Sequence, residues 1–404
     1  MMPMPQYSQL ELLPARAPCV DFEAQCCQSA PSVFGKGRRV TFSTTLHSRF
    51  NAGSNNFDAI RLAAALLVLF GHAYSLAGAP ADPLSSLIAL GYVGTLAVAG
   101  FFVLSGFLIA RSVERGTLSA YLAARALRIL PALALVTLLE TWVLAPYFFE
   151  GKVPWYLQNL APAHMKNVLV FGLDPWIAGV FQHNPVPFVN GSLWTLPIES
   201  LFYLLLPALL LAAAGRRWAV LALWLACLAA EPLAAAYGLN DAAVGGPLFN
   251  SVRVFPAVQM AGYFLAGVTA WLYRDRVPWD RGVFLAAAIL LFAARGGTSA
   301  PLVLKLCLPY VLLYVGLAGG VGTRLKARIG DLSYGVYLFG FPVLNSVVAL
   351  GQQSLSPLTV FAVSLPITVL LAALSWHLIE RPALRLRRRM RGHVGAPVGA
   401  TPPA

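Results

Sequence analysis

The chain alternates between long apolar runs and short polar loops from about residue 57 to residue 379. A helix needs about 20 predominantly apolar residues to cross the hydrocarbon core of a bilayer. The pattern therefore predicts ten membrane-spanning helices, with nine and eleven as the alternatives. They lie near 58–79, 90–110, 127–148, 196–214, 218–236, 252–273, 281–295, 301–321, 332–350 and 357–379. The seventh run is short, and the polar segment 295–301 follows it directly.

Basic residues gather in the loops on one side of these runs. Because cytoplasmic loops carry an excess of lysine and arginine, this side is predicted to be cytoplasmic. Ten spans then place both termini in the cytoplasm, whereas an odd number would scramble the asymmetry. The basic loop residues are Arg111, Arg115, Arg125, Arg128, Arg216, Arg217, Arg274, Arg276, Arg281, Arg324, Lys326 and Arg328, with a basic tail at 381–391.

The composition agrees with a membrane protein. Of the 404 residues, 58% are hydrophobic and 11% are charged, whereas ordinary soluble domains carry about 25% charged residues. The net charge of +13 falls in short clusters between the runs, which predicts membrane lipids and no nucleic acid as partners. The five cysteines lack ligand spacing, so neither a metal site nor a disulfide framework is predicted. The predicted fold class is an all-α polytopic membrane protein.

Three segments follow from this pattern. Residues 1–55 are polar and lack a cleavable signal peptide, so we interpret them as a disordered extension or as sequence upstream of the true start. Residues 56–390 form the membrane domain. Residues 391–404 are predicted to be a flexible tail.

Arg61 and His72 are eleven residues apart in the first span. At ~100° per residue this spacing returns to within ~20° of the same helix face, ~16 Å farther along the axis. Ionisable groups inside a membrane are costly and usually mark a function. A histidine can act as a base and an arginine can hold an anion, so the pair indicates half of an active site. The alternative is an arginine that anchors the helix at the surface and a histidine bonded to a neighbour.

Glu199 is a further candidate, near the outer end of the fourth span. It follows the outer segment 149–195, which is long enough to predict a function or a structure of its own. A carboxylate at that depth needs a partner or a neutral form. Depth alone allows His72 and Glu199 to meet, but a contact between them does not follow from the sequence.

Several motifs occur in a fixed order along the chain. They are the Arg61–His72 pair, 101-FFVLSGFLI-109, 125-RALR-128, 192-SLWTLPIESLFY-203, 332-LSYGVYLFGFP-342 and 380-ERPALRLRRR-389. The ordered set resembles the acyltransferase 3 family of bacterial membrane O-acyltransferases, over residues 56–390. The resemblance implies a core of about ten helices in the bacterial inner membrane and acyl-CoA as a cytoplasmic donor substrate, with no bound cofactor. It also implies an outer acceptor, either a carbohydrate or a lipid-linked glycan such as O-antigen or exopolysaccharide.

The resemblance assigns roles to individual residues. It implies that His72 is the catalytic histidine and Arg61 its motif arginine, that Arg125 and Arg128 bind the donor, and that Glu199 is the first acidic residue of a family motif. We predict that Glu199 is a second catalytic residue, which orients the imidazole or holds a sugar hydroxyl, and that Arg61 also binds the donor. Two positions depart from the family pattern. Ser200 stands where many relatives have a second glutamate, and Gly340 stands where many have a histidine.

The chemistry of the residues adds detail. Guanidinium groups suit the phosphates of a donor, and Arg125 and Arg128 share a helix face; both can instead be topology anchors. No serine or cysteine lies in a nucleophile elbow, so we favour direct attack with His72 as base, with an acyl-His72 intermediate as the alternative. Trp194 and Tyr203 are candidate acceptor contacts or members of an interfacial aromatic belt.

The predicted function is an integral membrane O-acyltransferase, with acetyl as the expected group. One alternative is a transporter or flippase for a glycan or lipid precursor. Another is a member of the same family that acylates a small molecule. The acceptor sugar, the acyl chain length and the oligomeric state do not follow from the sequence.

Overall fold

The computed structural model describes residues 44–50, 53–88, 92–240, 246–249 and 251–386. Within these residues nine helical segments are long and apolar enough to cross a membrane. The prediction of an all-α polytopic membrane protein is therefore confirmed. We call the end of the helix bundle that carries the basic loops the basic end, and the other end the outer end.

The helices are given in chain order. They are α1 (Leu46–Arg49), α2 (Phe57–Leu76), α3 (Pro83–Ile88), α4 (Val93–Glu114), α5 (Leu118–Leu139), α6 (Ala145–Phe148), α7 (Val153–Asn159), α8 (Ala161–His164), α9 (Thr195–Ala213), α10 (Arg217–Ala236), α11 (Val254–Leu272), α12 (Arg281–Ala293), α13 (Ala300–Leu317), α14 (Val321–Ile329), α15 (Ser333–Leu350) and α16 (Pro357–Ser375). π-Helical turns at Glu140–Leu144 and Trp376–Glu380 continue α5 and α16. Short 3-10 helices lie at Met165–Val168, Val170–Gly172 and Gly191–Trp194. Strands β1 (Pro247–Phe249) and β2 (Val252–Arg253) form an antiparallel hairpin.

The short helix α12 supplies one further crossing, which brings the total among the described residues to ten. Helix α11 finishes at the basic end, where Arg274 pairs with Glu114 at 3.5 Å. Helix α13 also finishes there, since the Val315 carbonyl accepts a hydrogen bond of 3.0 Å from Asn56, just before α2. The chain between α11 and α13 must therefore cross outward once. The 13 residues of α12 cover only ~20 Å, so the following turn at 294–299 completes the crossing.

Helix α5 begins nine residues earlier than the predicted start at 127. Thr117 caps it by accepting a hydrogen bond from the Ala120 backbone N–H at 3.3 Å. Arg125 and Arg128 therefore lie in the second and third turns of the helix and not in a loop. A test of apolarity misses these turns, because the arginines face a polar interior cavity and not lipid.

The chain before the first span also differs from the predicted extension. Residues 44–50 pack on the bundle, where Leu46 is 1% exposed and its N–H donates to the Val277 carbonyl at 3.0 Å. The Phe50 ring lies 5.5 Å from the ring of Trp271. These apolar contacts order a segment whose composition is otherwise polar. Residues 1–43 and 387–404 lie outside the described residues, and the predicted tail at 391–404 lies among them.

The central contact of the bundle joins α4 to α11. A Cβ atom added to Gly106 would overlap the Phe264 carbonyl, and one added to Gly267 would overlap the Val103 carbonyl. The two helices therefore approach backbone to backbone, as small residues permit in membranes. This close crossing leaves the other face of α4 to border an interior cavity together with α2, α5, α9, α15 and α16.

Candidate active site

A cavity of about 640 Å³ extends into the bundle from its basic end. Its lining combines aromatic rings with an unusual number of charged groups for the interior of a membrane domain. The lining residues with ionisable or polar side chains are Arg61, Ser105, Arg125, Arg128, Thr195, Glu199, Tyr203, Lys326, Asp331, Ser333, Tyr334, Tyr337, Trp376, Arg381 and Arg385. We call this the inner cavity.

Glu199 lies in the wall of the inner cavity, held by two hydroxyl groups. Ser105 Oγ donates to Glu199 Oε1 at 3.0 Å, and the Tyr203 hydroxyl donates to the same oxygen. The Tyr203 hydroxyl also lies 3.2 Å from Ser105 Oγ. Glu199 and Tyr203 are four residues apart on α9 and thus share a helix face. Two donors on one oxygen fix the direction of the carboxylate.

Arg125 and Arg61 are cations of the inner cavity. The Arg125 guanidinium lies over the Tyr203 ring at 5.7 Å, and its buried Nε has no hydrogen-bond partner among the described residues. Buried polar groups are normally paired. Because the Arg125 side chain also lines the cavity, its guanidinium is suited to bind an anionic ligand there. Arg61 lines the same space and lies close enough to Asp331 to lower the pKa of its carboxyl.

Arg128 is placed differently, although it follows Arg125 by one turn. Its guanidinium contacts Asp331 at 3.0 Å and Glu380 at 3.1 Å. Both carboxylates are buried, with side-chain exposures of 5% and 2%. Burial would raise the pKa of Asp331, but Arg128 and Lys326 hold it below its usual range. Arg128 thus joins α5 to the start of α15 and the end of α16.

A hydrogen-bonded tyrosine closes the far end of the inner cavity. The Tyr337 hydroxyl donates to the Ser192 carbonyl at 2.7 Å and lies 2.7 Å from Thr195 Oγ1. Its ring meets the Phe101 ring edge to face at 5.9 Å. These contacts join α15 to the start of α9.

His72 lies just beyond this closure. Its ring is 5.0 Å from the Phe341 ring and 5.5 Å from the Tyr92 ring. Phe341 follows Tyr337 by four residues on α15, so the two rings are ~6 Å apart along the helix. His72 is not among the residues that line the inner cavity. The structure thus brings Arg61, Arg125 and Glu199 together around one space and sets His72 about one helical turn outward.

The two candidate acceptor contacts, Tyr203 and Trp194, line different cavities. Tyr203 faces the inner cavity, where it holds Glu199. Trp194 is 42% exposed and lines a second cavity of about 450 Å³ on the opposite face of α9. One end of α9 therefore borders both spaces.

A buried cluster at the outer end was not predicted from the sequence. Glu140 is 1% exposed and accepts a hydrogen bond of 2.6 Å from Asn190, which also donates to the Leu338 carbonyl. His164 Nε2 lies 3.6 Å from the other Glu140 oxygen. The ionisable side chains inside the third span and the outer segment were the available signals. Their partners are far apart in sequence, so only the fold could show that the cluster anchors the outer segment to α15.

The two departures from the family pattern lie in packed surroundings. The Ser200 side chain is buried, and its Oγ has no hydrogen-bond partner among the described residues. A Cβ on Gly340 would lie 2.8 Å from Leu69 Cδ1, one turn from His72 on α2. A larger side chain at 340 would therefore require the Leu69 side chain to shift. In the described part of the chain no group of three histidine, cysteine or acidic side chains is placed to hold a metal ion.

The chain is similar to known proteins over most of its length. A family profile described as an acyltransferase domain matches residues 54–377. The chain is 31% identical over 362 residues to nodulation protein 10 of Rhizobium leguminosarum bv. viciae, covering 82% of this chain and 94% of that protein. It is 28% identical over 341 residues to the O-acetyl transferase of Shigella phage Sf6, covering 81% and 95%.

A third relative, acyltransferase MdmB of Streptomyces mycarofaciens, is 28% identical over 362 residues, covering 78% of this chain and 88% of the relative. No solved structure matches the chain. The family profile covers most of the membrane domain, including the residues from Arg61 to Trp376 that line the inner cavity. The chain therefore belongs to the acyltransferase 3 family and is a multi-pass membrane enzyme that transfers acyl groups other than amino-acyl groups.

Proposed function

We propose that the protein is an O-acyltransferase that takes an acyl group, expected to be acetyl, from acyl-CoA on the cytoplasmic side. The enzyme lies in the bacterial inner membrane and passes this group to a hydroxyl of an extracytoplasmic glycan. The observation that carries the proposal is Arg125, whose buried Nε has no hydrogen-bond partner among the described residues and whose side chain lines the inner cavity with Arg61 and Glu199. The relative named as an O-acetyl transferase supports the choice of acetyl.

The charge gradient of the inner cavity supports a phosphate-bearing donor. Arg381 and Arg385 line its basic end, where the diphosphate and ribose phosphate of CoA would lie. Lys326 lies beside them but pairs with Asp58 and Asp331. Guanidinium and ammonium groups bind phosphate oxygens by charge-assisted hydrogen bonds. The narrow pantetheine arm would then run inward past Arg125, bringing the thioester to the Glu199 end. Arg128 is engaged by two carboxylates, so we assign it to the wall and not to the donor.

Acyl transfer needs a base and stabilisation of a developing oxyanion. In the proposed step the acceptor hydroxyl oxygen attacks the thioester carbonyl carbon while His72 takes the hydroxyl proton. The C–S bond then breaks, and the imidazolium returns that proton to the departing thiolate. The products are an ester and free CoA. In the alternative, His72 first accepts the acyl group and then passes it to the hydroxyl.

The position of His72 defines what this mechanism requires. Tyr337 and Phe341 separate its ring from the inner cavity. For a base to act it must come within hydrogen-bond reach of its proton. The mechanism therefore requires the Tyr337 side chain to release Ser192 and Thr195 when the donor is bound, opening a short path to His72.

The test uses membrane vesicles that carry the full-length protein and radiolabelled acetyl-CoA. Inverted vesicles expose the basic end, and right-side-out vesicles expose the outer end. We expect label to enter polysaccharide only in inverted vesicles and to disappear in His72→Ala. The control is His183→Ala, since His183 is an exposed outer histidine and its loss should leave labelling intact. Normal labelling by His72→Ala would remove His72 from the mechanism. Labelling of right-side-out vesicles alone would contradict a cytoplasmic donor.

A further inference from the structure

The second cavity opens on the outer side of the bundle, and α9 separates it from the inner cavity. Trp194, Pro197 and Ile198 face the second cavity, whereas Thr195, Leu196 and Glu199 face the inner one. At ~100° per residue these two sets fall on opposite faces of one helix. We call the second space the outer cavity.

The walls of the outer cavity are held in place by contacts between segments far apart in sequence. Ser251 Oγ donates to the Phe171 carbonyl at 3.0 Å, and the Phe171 ring meets the Phe249 ring at 5.5 Å. These contacts bind the β-hairpin to the outer segment. On the other side, the Pro175 carbonyl accepts the Val189 N–H at 2.7 Å. The cavity is therefore formed before any ligand arrives, as small-molecule sites usually are.

The chemistry of the lining is specific. Three prolines, at 175, 197 and 256, give rigid apolar walls, and Trp194 supplies an exposed aromatic face. Arg253 is exposed and lines the same space. Among the described residues no carboxylate forms an ion pair with it. An arginine on the outer side also runs against the charge asymmetry of the chain.

We propose that the outer cavity binds the acceptor as a sugar unit that carries an anionic group. Indole faces stack on the apolar faces of sugar rings, and a guanidinium pairs with a carboxylate or a phosphate. Trp194 is the stacking platform, and Arg253 selects the anionic acceptor. This inference rests on the proposed function, because the bound sugar is part of the acceptor of that reaction. Since α9 separates the outer cavity from Glu199, the sugar held there is a neighbour of the unit that is acylated.

The test measures binding without any acyl donor. The full-length protein in phosphatidylcholine nanodiscs is titrated with glucuronic acid, glucose 1-phosphate and glucose, followed by saturation-transfer NMR. We expect both anionic sugars to bind at least tenfold more tightly than glucose. Arg253→Gln should remove that preference, and Trp194→Ala should weaken the binding of all three sugars. Tighter binding of glucuronic acid than of glucose 1-phosphate would indicate that the anionic group belongs to the polymer. Tighter binding of glucose 1-phosphate would indicate that it belongs to a lipid-linked precursor.

Matched controls come from the same side of the bundle. Arg295→Gln removes an outer arginine that lies over Phe292, and Trp176→Ala removes a tryptophan that is 44% exposed; neither lines the outer cavity. Both variants should bind the anionic sugars like wild type. Equal affinity for glucose and glucuronic acid, or equal losses in the control variants, would overturn the proposal.

Two further outcomes are informative. If phosphatidylglycerol nanodiscs abolish the binding of the sugars, a lipid headgroup occupies the cavity and the proposal fails. If the sugars bind as expected but no vesicle transfers label from acetyl-CoA, the proposed function fails while the outer cavity stands as a sugar site.

Discussion

Replacing Arg125 and replacing Arg128 should have opposite consequences, although the residues lie one turn apart on α5. Arg128→Ala leaves Glu380 with Ser375 Oγ at 3.1 Å, and leaves Asp331 with Ser333 Oγ at 2.8 Å and Lys326 at 3.4 Å. Both carboxylates remain buried. Among the described residues no carboxylate pairs with Arg125, whose guanidinium lies over the Tyr203 ring, so Arg125→Ala leaves none of them uncompensated.

The magnitudes follow from the geometry. At about 3 Å and an effective dielectric constant of ~20, each ion pair of Arg128 has a Coulomb energy of ~5 kcal/mol, much of it offset by desolvation. Removing one partner of a buried pair costs about 3–5 kcal/mol, so Arg128→Ala should lose that much stability. Arg125→Ala should change the stability by less than ~1 kcal/mol. It removes charge-assisted bonds of about 1.5–3 kcal/mol to the donor, so the KM for acetyl-CoA should rise about 10- to 100-fold.

The assay pairs heat inactivation of the purified protein in detergent with the KM for acetyl-CoA in vesicles. The triple variant Arg128→Met, Asp331→Asn, Glu380→Gln is the control, because it removes the charges together and should recover most of the stability. The reasoning is refuted if Arg128→Ala is as stable as wild type, or if Arg125→Ala unfolds while its KM for acetyl-CoA is unchanged.

Three further predictions follow. Glu199→Gln should lower kcat at least tenfold with little change in the KM for acetyl-CoA, because the amide oxygen still accepts from Ser105 but carries no charge; an unchanged kcat would exclude the carboxylate from the chemistry. Gly106→Ala should destabilise the protein by at least ~2 kcal/mol, since its Cβ overlaps a backbone carbonyl. Gly100→Ala, whose Cβ would lie 3.4 Å from Leu312, should be tolerated, and equal losses in thermal unfolding would contradict this packing. Because the pKa of Asp331 is below its usual range, the stability it contributes is present above about pH 4 and is lost only below that. The difference in stability between wild type and Asp331→Asn should therefore be constant from pH 5 to 8. A difference that shrinks across this range would be evidence against the lowered pKa.

Much of the fold could be predicted because the bilayer imposes a simple rule on the sequence. Nine of the ten predicted runs correspond to long apolar helices, and the seventh corresponds to the short helix α12. The rule failed where helices face the protein interior. The start of α5 was placed too late, because Arg125 and Arg128 make its first turns polar in composition while facing a cavity.

Each candidate residue could be identified from the sequence, but the sequence could not show which of them lie together. Arg61, Glu199 and Tyr203 carry chemistry that is visible at single positions, and their roles stay predictions. The sequence could not show that Arg128 pairs with two carboxylates while Arg125 pairs with none among the described residues, since both have the same residue type and the same local pattern. Asp331 and Glu380 decide the difference, and they lie more than 200 positions away along the chain.

The sequence by itself determined the membrane character, the all-α fold class and the family, because each depends on local composition or on ordered motifs. Tertiary structure alone decided which ionisable groups share a space. The burial of charge in a membrane protein is settled by pairs between distant helices, since each buried charge needs a partner or water. The fold thus set Glu199 in the inner cavity, placed His72 one turn beyond Tyr337, and turned Trp194 toward a separate cavity on the outer side.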